Sequence, residues 1–416
     1  MFRLSSSFRT RTAEDSLKLA KEIASDMGVT RVTDVTWLDK IGIPVFAGIR
    51  PYASRGSLNV HAGKGIKPCE AKIGAYMESI EFALVDHIHH TDKMRLMKSK
   101  DVLATYQNRY SLSSFGLRLG EKIEPSDEIY CVKGHDIINE MEVMVPAELV
   151  FHPFQCPQKK YFYGGTTTNG LCSGNIQKEA IIHGICEILE RDVQSFNHIN
   201  DYSLKVNPST EPESIRLLRN KIEVAGLILV LRKTLNQFNL PFFSAYVLEK
   251  SDNDSISIAD GFGLHPVAEI AAIRAVTEAV QSRLSHIHGG RDDIINRVKH
   301  FKGKSAGLEE HVMRGLRERV TQGNTFINFT SETEYAPEFD DIEQLYEYLK
   351  RKLITNNLNG CIHIVLSPED FPFSIQRVII PGAEYVEPGM KRIGYRFAEA
   401  FRKSKKMPSA EGQKND

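Results

Sequence analysis

Two Glu-x-x-Glu pairs, Glu78 with Glu81 and Glu187 with Glu190, are the residues of this chain whose type and spacing suit chemistry best. On a helix, at about 100° per residue, a separation of three puts both carboxylates of a pair on one face, a turn apart. Four carboxylates gathered in one low-dielectric site repel by on the order of several kcal/mol, a cost that divalent cations offset. Mg2+ is the natural candidate, because it takes oxygen ligands, keeps waters and shares its shell with nucleotide phosphates. A third stretch places Arg274, Glu278, Gln281 and Ser285 on one stripe, and its arginine and amide suit phosphate oxygens. Taken alone, each stripe fits a solvated salt-bridge face equally well.

The elements that must position these groups are legible in the apolar spacing. In EAIIHGICEILERDVQSF, residues 179–196, a polar stripe of Glu179, His183, Glu187, Glu190 and Gln194 is set apart from Ile182, Ile185, Leu189, Val193 and Phe196. Upstream, Gly74, Glu78 and Glu81 share a stripe, with Ile73, Met77, Ile80 and Leu84 on the packing side. The third helix follows DGFGLHP, in which Asp260, Gly261 and Gly263 read as a turn and Pro266 as the helix opening. Its Ala271, Ala272, Ala275 and Ala279 permit close packing against a neighbour. Arg283 falls on the opposite face from Arg274, so a ligand shared by both needs a long reach or a distorted helix end. YGGTTTNGLCSGN, residues 163–175, reads as a flexible run whose backbone amides approach a ligand. GKG at 63–65 reads as a short loop and is no P-loop, since the G-x-x-x-x-G-K-S/T pattern is absent.

Composition bounds the class. With 416 residues, 41% hydrophobic and 25% charged, the chain can bury one large core or two ordinary ones. Lys plus Arg equals Asp plus Glu, so no global field holds nucleic acid or an anionic membrane, and recognition must be local. Six cysteines are scattered without a C-x-x-C pair, and there is no signal peptide or long apolar run. That pattern suits a reducing cytosol, hence a cytoplasmic protein.

Elsewhere the chain alternates strands and helices. MFRLSSSFRTRT leads into a helix over residues 12–28, and residues 29–51 read as two short strands joined by a turn at Asp39 to Gly42. Residues 91–106 read as a basic helix, its Lys93, Arg95, Lys98 and Lys100 solvating a surface, and 128–151 as strands. His87, His89 and His90 read as helix-end solvation. Residues 227–250 read as strands around a turn, 291–335 as a charged surface excursion, 337–354 as an amphipathic helix, 361–366 as a buried strand and 373–388 as a strand ending in a Pro-Gly turn. From Arg402 the tail, residues 402–416, reads as polar and mobile.

Three blocks together carry a family resemblance: GKG with Gly74-x-x-x-Glu78-x-x-Glu81; NG with SGN-x-x-x-E and the Glu187-x-x-Glu190-Arg191-Asp192 ending; and RAVTEAVQSR. They resemble the nucleotide-binding signature of YcaO proteins, in blocks 57–90, 163–196 and 260–286, and TRVTDVTWLDKIGIPVFAGIRP resembles the lead-in of stand-alone members that pair with TfuA-type partners. The resemblance implies a single α/β (α+β) domain over residues 1–401, with mixed sheets and helices around an ATP and Mg2+ site. It implies that Glu78, Glu81, Glu187 and Glu190 hold Mg2+, that Asn175, Glu179, Arg191, Arg274 and Gln281 surround the nucleotide, and that Lys64 sits near the phosphates. Gly74, Glu278 and Arg283 complete the cofactor-binding candidates.

The implied activity is ATP-dependent phosphorylation of a peptide-backbone amide oxygen. A Cys, Ser or Thr side chain, or external sulfide, attacks the amide carbon, and loss of phosphate leaves an azoline or a thioamide in a ribosomally made precursor peptide. Gly74 stands where the family usually has Ser, so a hydroxyl contact is missing. The end, FRKSKKMPSAEGQKND, lacks the Pro-x-Pro-x-Pro terminus of many azoline-forming members, which brings thioamide formation forward. A separate peptide-presenting or TfuA-like partner and a homodimer are expected. The alternative from another class is a non-catalytic nucleotide-bound scaffold in a peptide-modifying complex.

Overall fold

The computed structural model describes the chain except residues 156–159, 166, 251–257, 291–307, 324, 331–337, 388–390 and 407–416. A hairpin of β1 (Phe2–Arg3) and β2 (Phe8–Arg9) precedes α1 (Ala13–Ile23), where the Thr12 side chain accepts from the Asp15 amide and so satisfies one orphan donor of the first turn. β3 (Arg31–Asp34), β4 (Val45–Ile49) and β5 (Val60–Lys64) form an antiparallel sheet, and α2 (Pro68–Leu84) lies across it. Proline at its first position costs this helix nothing, because that amide has no intrahelical partner.

β6 (Arg95–Lys98) and α3 (Ser99–Thr105) divide the basic stretch that reads as one helix. Edge pairing of β6 with β7 (Glu128–Asp136) overrides the local helical preference there. β8 (Met141–Pro146) pairs along β7, and β9 (Leu171–Gly174) leads into α4 (Gln177–Asn197). The end of the run read as flexible is therefore a buried strand. After β10 (Leu204–Val206) and α5 (Glu213–Val224), the strands β11 (Ile228–Lys233), β12 (Phe242–Leu248) and β13 (Ile258–Leu264) form an antiparallel meander that ends in α6 (Ala268–His288). Asp260, Gly261 and Gly263 lie inside β13, and α6 begins two residues after Pro266. The short β14 (Phe326–Ile327) adds in parallel to β10, while β15 (Ile362–Val365) and β16 (Ser374–Ile379) complete the larger sheet.

Among the described residues the strand order is β6-β7-β15-β16-β9 in the six-stranded sheet, with β8 on β7, and β13-β12-β11-β10-β14 in the five-stranded one. Further helices span Leu308–Thr321, Ile342–Thr355 and Tyr395–Lys406. The first of these falls in the segment read as an aperiodic excursion. The last has Phe397 buried and Arg396 paired to Asp192 and runs through Lys406; residues 407–416 of the expected tail lie outside the described residues.

Three helices each rest on a different sheet: α2 on β4 and β5, α4 on β9 and β16, α6 on β12 and β13. Missing side chains set their closeness. A Cβ on Gly63 of β5 would lie 2.1 Å from the Ala71 carbonyl oxygen and the Ala75 nitrogen of α2, and one on Gly263 would lie 2.0 Å from the Ala271 carbonyl oxygen of α6. Only glycine lets helix backbone meet strand backbone at that distance. One apolar core joins α2 to β7 and β8, a second fills the space between the five-stranded sheet and α5 and α6, and a third surrounds α4 and the helix Ile342–Thr355.

Candidate functional site

The polar stripes of α2, α4 and α6 face one cleft of about 1510 Å3, its open mouth included. Gly74, Glu78 and Glu81 enter it from α2, Glu187, Glu190 and Arg191 from α4, and Arg274, Glu278 and Gln281 from α6; Lys64 reaches in from the end of β5 and Asn175 from the turn after β9. This convergence answers the alternative of separate solvated faces: the stripes point at one another.

Each charged group has a definite setting. Glu78 accepts from the Ala62 amide at 3.2 Å, and Glu190 accepts from the Leu264 amide at 3.1 Å, so a strand backbone orients each carboxylate. Lys64 Nζ lies 2.5 Å from Glu278 Oε2. Arg191 donates to Gln194 Oε1 at 3.0 Å, and its NH2 stands 4.0 Å from Glu190. Arg274 NH2 meets His183 Nε2 at 3.3 Å.

Desolvation in the cleft raises the Glu81 carboxyl to about 8, against the pull of a Ser173 hydrogen bond and with repulsion from Glu78 and Glu187. Desolvation likewise raises Glu187 to about 7, with Arg191 opposing and Glu190 adding. Glu278 behaves otherwise: burial would raise it, yet Lys64, Arg191 and Arg274 hold it below the ordinary carboxylate value. His183 is driven well down by desolvation and the neighbouring Arg274, so it stands neutral.

The donor set fits Mg2+ and a polyphosphate. Half-buried carboxylates that resist ionisation need a cation, and Arg274 Nε and His183 Nδ1 are buried without a hydrogen-bond partner among the described residues, as groups awaiting a ligand are. The four glutamates are not one preformed cage: among the described residues, no three His, Cys, Asp or Glu side chains are gathered closely enough to hold a single ion. That agrees with Mg2+ chemistry, in which one or two carboxylates and substrate phosphates share the shell.

Two anticipated residues stand elsewhere. Arg283 is buried away from the cleft, with Nε 2.9 Å from Asp39 Oδ2 and NH2 2.6 Å from Glu249 Oε1. Its face of α6 turns toward the β3–β4 connection, which it ties to the helix, and it does not line the cleft. Glu179 is buried behind Asn175, accepting from the Asn175 amide at 2.8 Å and side chain at 3.1 Å, from the Thr10 amide and from Arg9 at 3.4 Å. It positions Asn175 and the amino-terminal hairpin and does not line the cleft.

Sequence reasoning missed that hairpin. Leu4, Ser6, Ser7 and Arg9 line the cleft, Arg9 donates to the Ser173 carbonyl at 3.0 Å, and Arg3 and Ser5 pair with Glu269 and Glu70. Its ties run to α2, α4 and α6, as far as 266 residues along the chain, and no local periodicity signals them. The Arg-rich start was the one cue, and an ordinary domain entry explains that composition equally well.

Comparison with known proteins gives the family and the fold. A family described as YcaO cyclodehydratase, ATP- and Mg2+-binding, matches residues 62–384. An uncharacterized protein of Methanothermobacter thermautotrophicus is 31% identical over 93% of this chain and 98% of its own length. An uncharacterized protein in the tfuA 3' region of Rhizobium leguminosarum bv. trifolii is 27% identical over 88% of both chains. The structure of YcaO from Methanopyrus kandleri bound with AMPPCP and Mg2+ superposes with a TM-score of 0.73 at 21% identity, over 95% of this chain and 97% of the other, which establishes the fold. With its carboxylate-lined cleft and a family match over most of its length, the chain belongs to the YcaO cyclodehydratase family.

Proposed function

We propose that this protein activates peptide-backbone amides with ATP and Mg2+, yielding an azoline heterocycle or a backbone thioamide in a ribosomally made peptide. The observation that carries the reading is the meeting of two Glu-x-x-Glu pairs with Arg191, Arg274 and Lys64 in one cleft. Glu78, Glu81, Glu187 and Glu190 would hold Mg2+; Arg191, Arg274 and Lys64 would neutralise phosphate charge; Asn175 and Gln281 would give the nucleotide directional hydrogen bonds. When bound, ATP supplies the phosphoryl group that turns the amide oxygen into a leaving group.

The chain's own side chains position and neutralise, and none need act as nucleophile. Cys172 and Cys186 are buried, and desolvation pushes the Cys172 thiol well up and the Cys186 thiol to about 12, so neither is a thiolate. The attacking group therefore comes from the peptide or from external sulfide. A relative encoded beside tfuA supports thioamide formation with a TfuA-like partner that presents the precursor peptide. We take residues 1–401 as one such domain, acting in the cytoplasm as a homodimer.

Equilibrium binding of the non-hydrolysable analogue AMPPCP, with and without Mg2+, tests the reading. Wild type binds in a Mg2+-dependent way, and folded Glu78→Gln and Glu187→Gln variants each lose that dependence. Mg2+-independent binding, or none, overturns it.

A further inference from the structure

A second, smaller cavity of about 450 Å3, its mouth included, adjoins the cleft along α4. The two share a wall: Glu187 of α4 faces the cleft and Ile188 the cavity, and Thr168 faces the cleft while its neighbours Thr167 and Asn169 face the cavity. Two arginines line it, Arg377 from β16 and Arg392. Arg377 is 2% exposed and is held by two carbonyls, Nε donating to Leu149 at 3.1 Å and NH2 to Thr167, while NH1 has no partner among the described residues. Arg392 donates through Nε to Gly116 at 2.9 Å and through NH2 to Phe115, and lies over the Tyr163 ring. Neither guanidinium has a carboxylate within ion-pair distance among the described residues.

The two cations, close in sequence, donate directly only to neutral carbonyls among the described residues, and carboxylates act on them at longer range, Glu187 on Arg377 and Glu148 and Glu384 on Arg392, so each guanidinium keeps room for a directly bonded anion. Desolvation lowers Arg377 to about 10, with Glu187 across the shared wall pulling the other way and Arg392 adding to the lowering. Asn169 Oδ1 is also buried without a partner, and turning its amide over presents a donor to the same space. Planar guanidinium forks match the oxygens of phosphate, and unpaired N–H groups in a dehydrated cavity bind such an anion strongly.

We propose that the Arg377–Arg392 cavity is a subsite for inorganic phosphate, the anion that the reaction discharges. This rests on the amide-phosphorylation reading: the amide C–O bond breaks, and its electron pair leaves with the oxygen on the phosphate. The cavity, which shares a wall with the cleft at Glu187 and Ile188, receives the released anion. Product and nucleotide then do not compete for one position.

The test is titration of the full chain, saturated with AMPPCP and Mg2+, with inorganic phosphate, followed by calorimetry and by 31P line broadening. Phosphate binds with the analogue in place, and Arg377→Gln weakens that binding by about tenfold or more, the loss of a charge-assisted fork. Asn169→Asp, at a half-buried wall position that tolerates the change, weakens it as well by placing a carboxylate beside the anion, and serves if the arginine variant does not fold. The proposal is overturned if wild type binds no phosphate, if AMPPCP displaces all of it, or if folded variants bind as wild type does. If AMPPCP itself does not bind, the nucleotide reading fails, and titration of the analogue-free protein with the same variants still reports on the cavity.

Discussion

Lys64 Nζ stands 2.5 Å from Glu278 Oε2, joining the end of β5 to the middle of α6 across the cleft floor. The lysine expected beside the phosphates is thus already paired, and a nucleotide must share it with Glu278. Lys64→Ala should weaken Mg2+-AMPPCP binding by about tenfold, and Glu278→Gln by less, since it frees the lysine while unfixing its position. Because the groups touch, the double variant should fall short of the summed losses by roughly 0.5–3 kcal/mol, read from a double-mutant cycle of dissociation constants. Additive losses would show that the pair does not act as a unit.

Mg2+-dependent nucleotide affinity should rise with pH. Desolvation lifts Glu187 to about 7 and Glu81 to about 8, so both hold protons below those values, and Mg2+ requires the ionised forms. Affinity therefore climbs between about pH 6 and 8.5 with net proton release, measurable by calorimetry in buffers of different ionisation enthalpy. Stability of the metal-free protein runs the other way. A folded carboxyl pKa above the unfolded value of 4.5 favours the fold at low pH, and that advantage disappears as pH rises through the folded value. Glu187→Gln should accordingly raise the thermal midpoint of the metal-free protein at pH 8, by about 1–3 °C, while abolishing Mg2+-dependent binding.

Arg283 separates fold from site. Its guanidinium is buried between Asp39 and Glu249, and among the described residues Arg283→Met leaves Asp39 without its cation and Glu249 with only the exposed Lys40 at 3.5 Å. Such a loss costs about 3–5 kcal/mol. Denaturant midpoints should fall accordingly, while the fraction that remains folded binds AMPPCP as wild type does. A selective loss of binding at unchanged stability would return Arg283 to the nucleotide site.

Gly74 offers a gain. A Cβ there would meet its nearest neighbour, the Gly63 Cα, at 3.3 Å, a contact relieved by a few tenths of an ångström of adjustment. Gly74→Ser should therefore fold, and a hydroxyl facing the cleft should tighten AMPPCP binding by about three- to tenfold, the worth of one ordinary hydrogen bond. Gly63→Ala makes the contrast: its Cβ would lie 2.1 Å from α2 backbone, and both stability and binding should drop.

The sequence by itself determined the three helices, the faces they turn inward and the two carboxylate pairs, because helical periodicity is a local property that any 18-residue window displays. It determined the family as well, since the blocks keep their glutamates, Asn175 and Arg274 in register. Where local and tertiary preferences compete, the local reading failed: Arg95–Lys98 became a strand because β7 offered an edge, and Gly261 and Gly263 proved to be strand positions under α6 and not a turn. Only the tertiary structure decided who meets whom. Pairing of β16 with β9 puts Arg377 opposite Leu171 and so beside α4, Arg9 reaches Glu179 across the fold, and the twin faces of α6 send Arg274 to the cleft and Arg283 to Asp39. Those outcomes depend on strand register and on which sheet each helix covers, quantities fixed by contacts hundreds of residues apart and carried by no single segment.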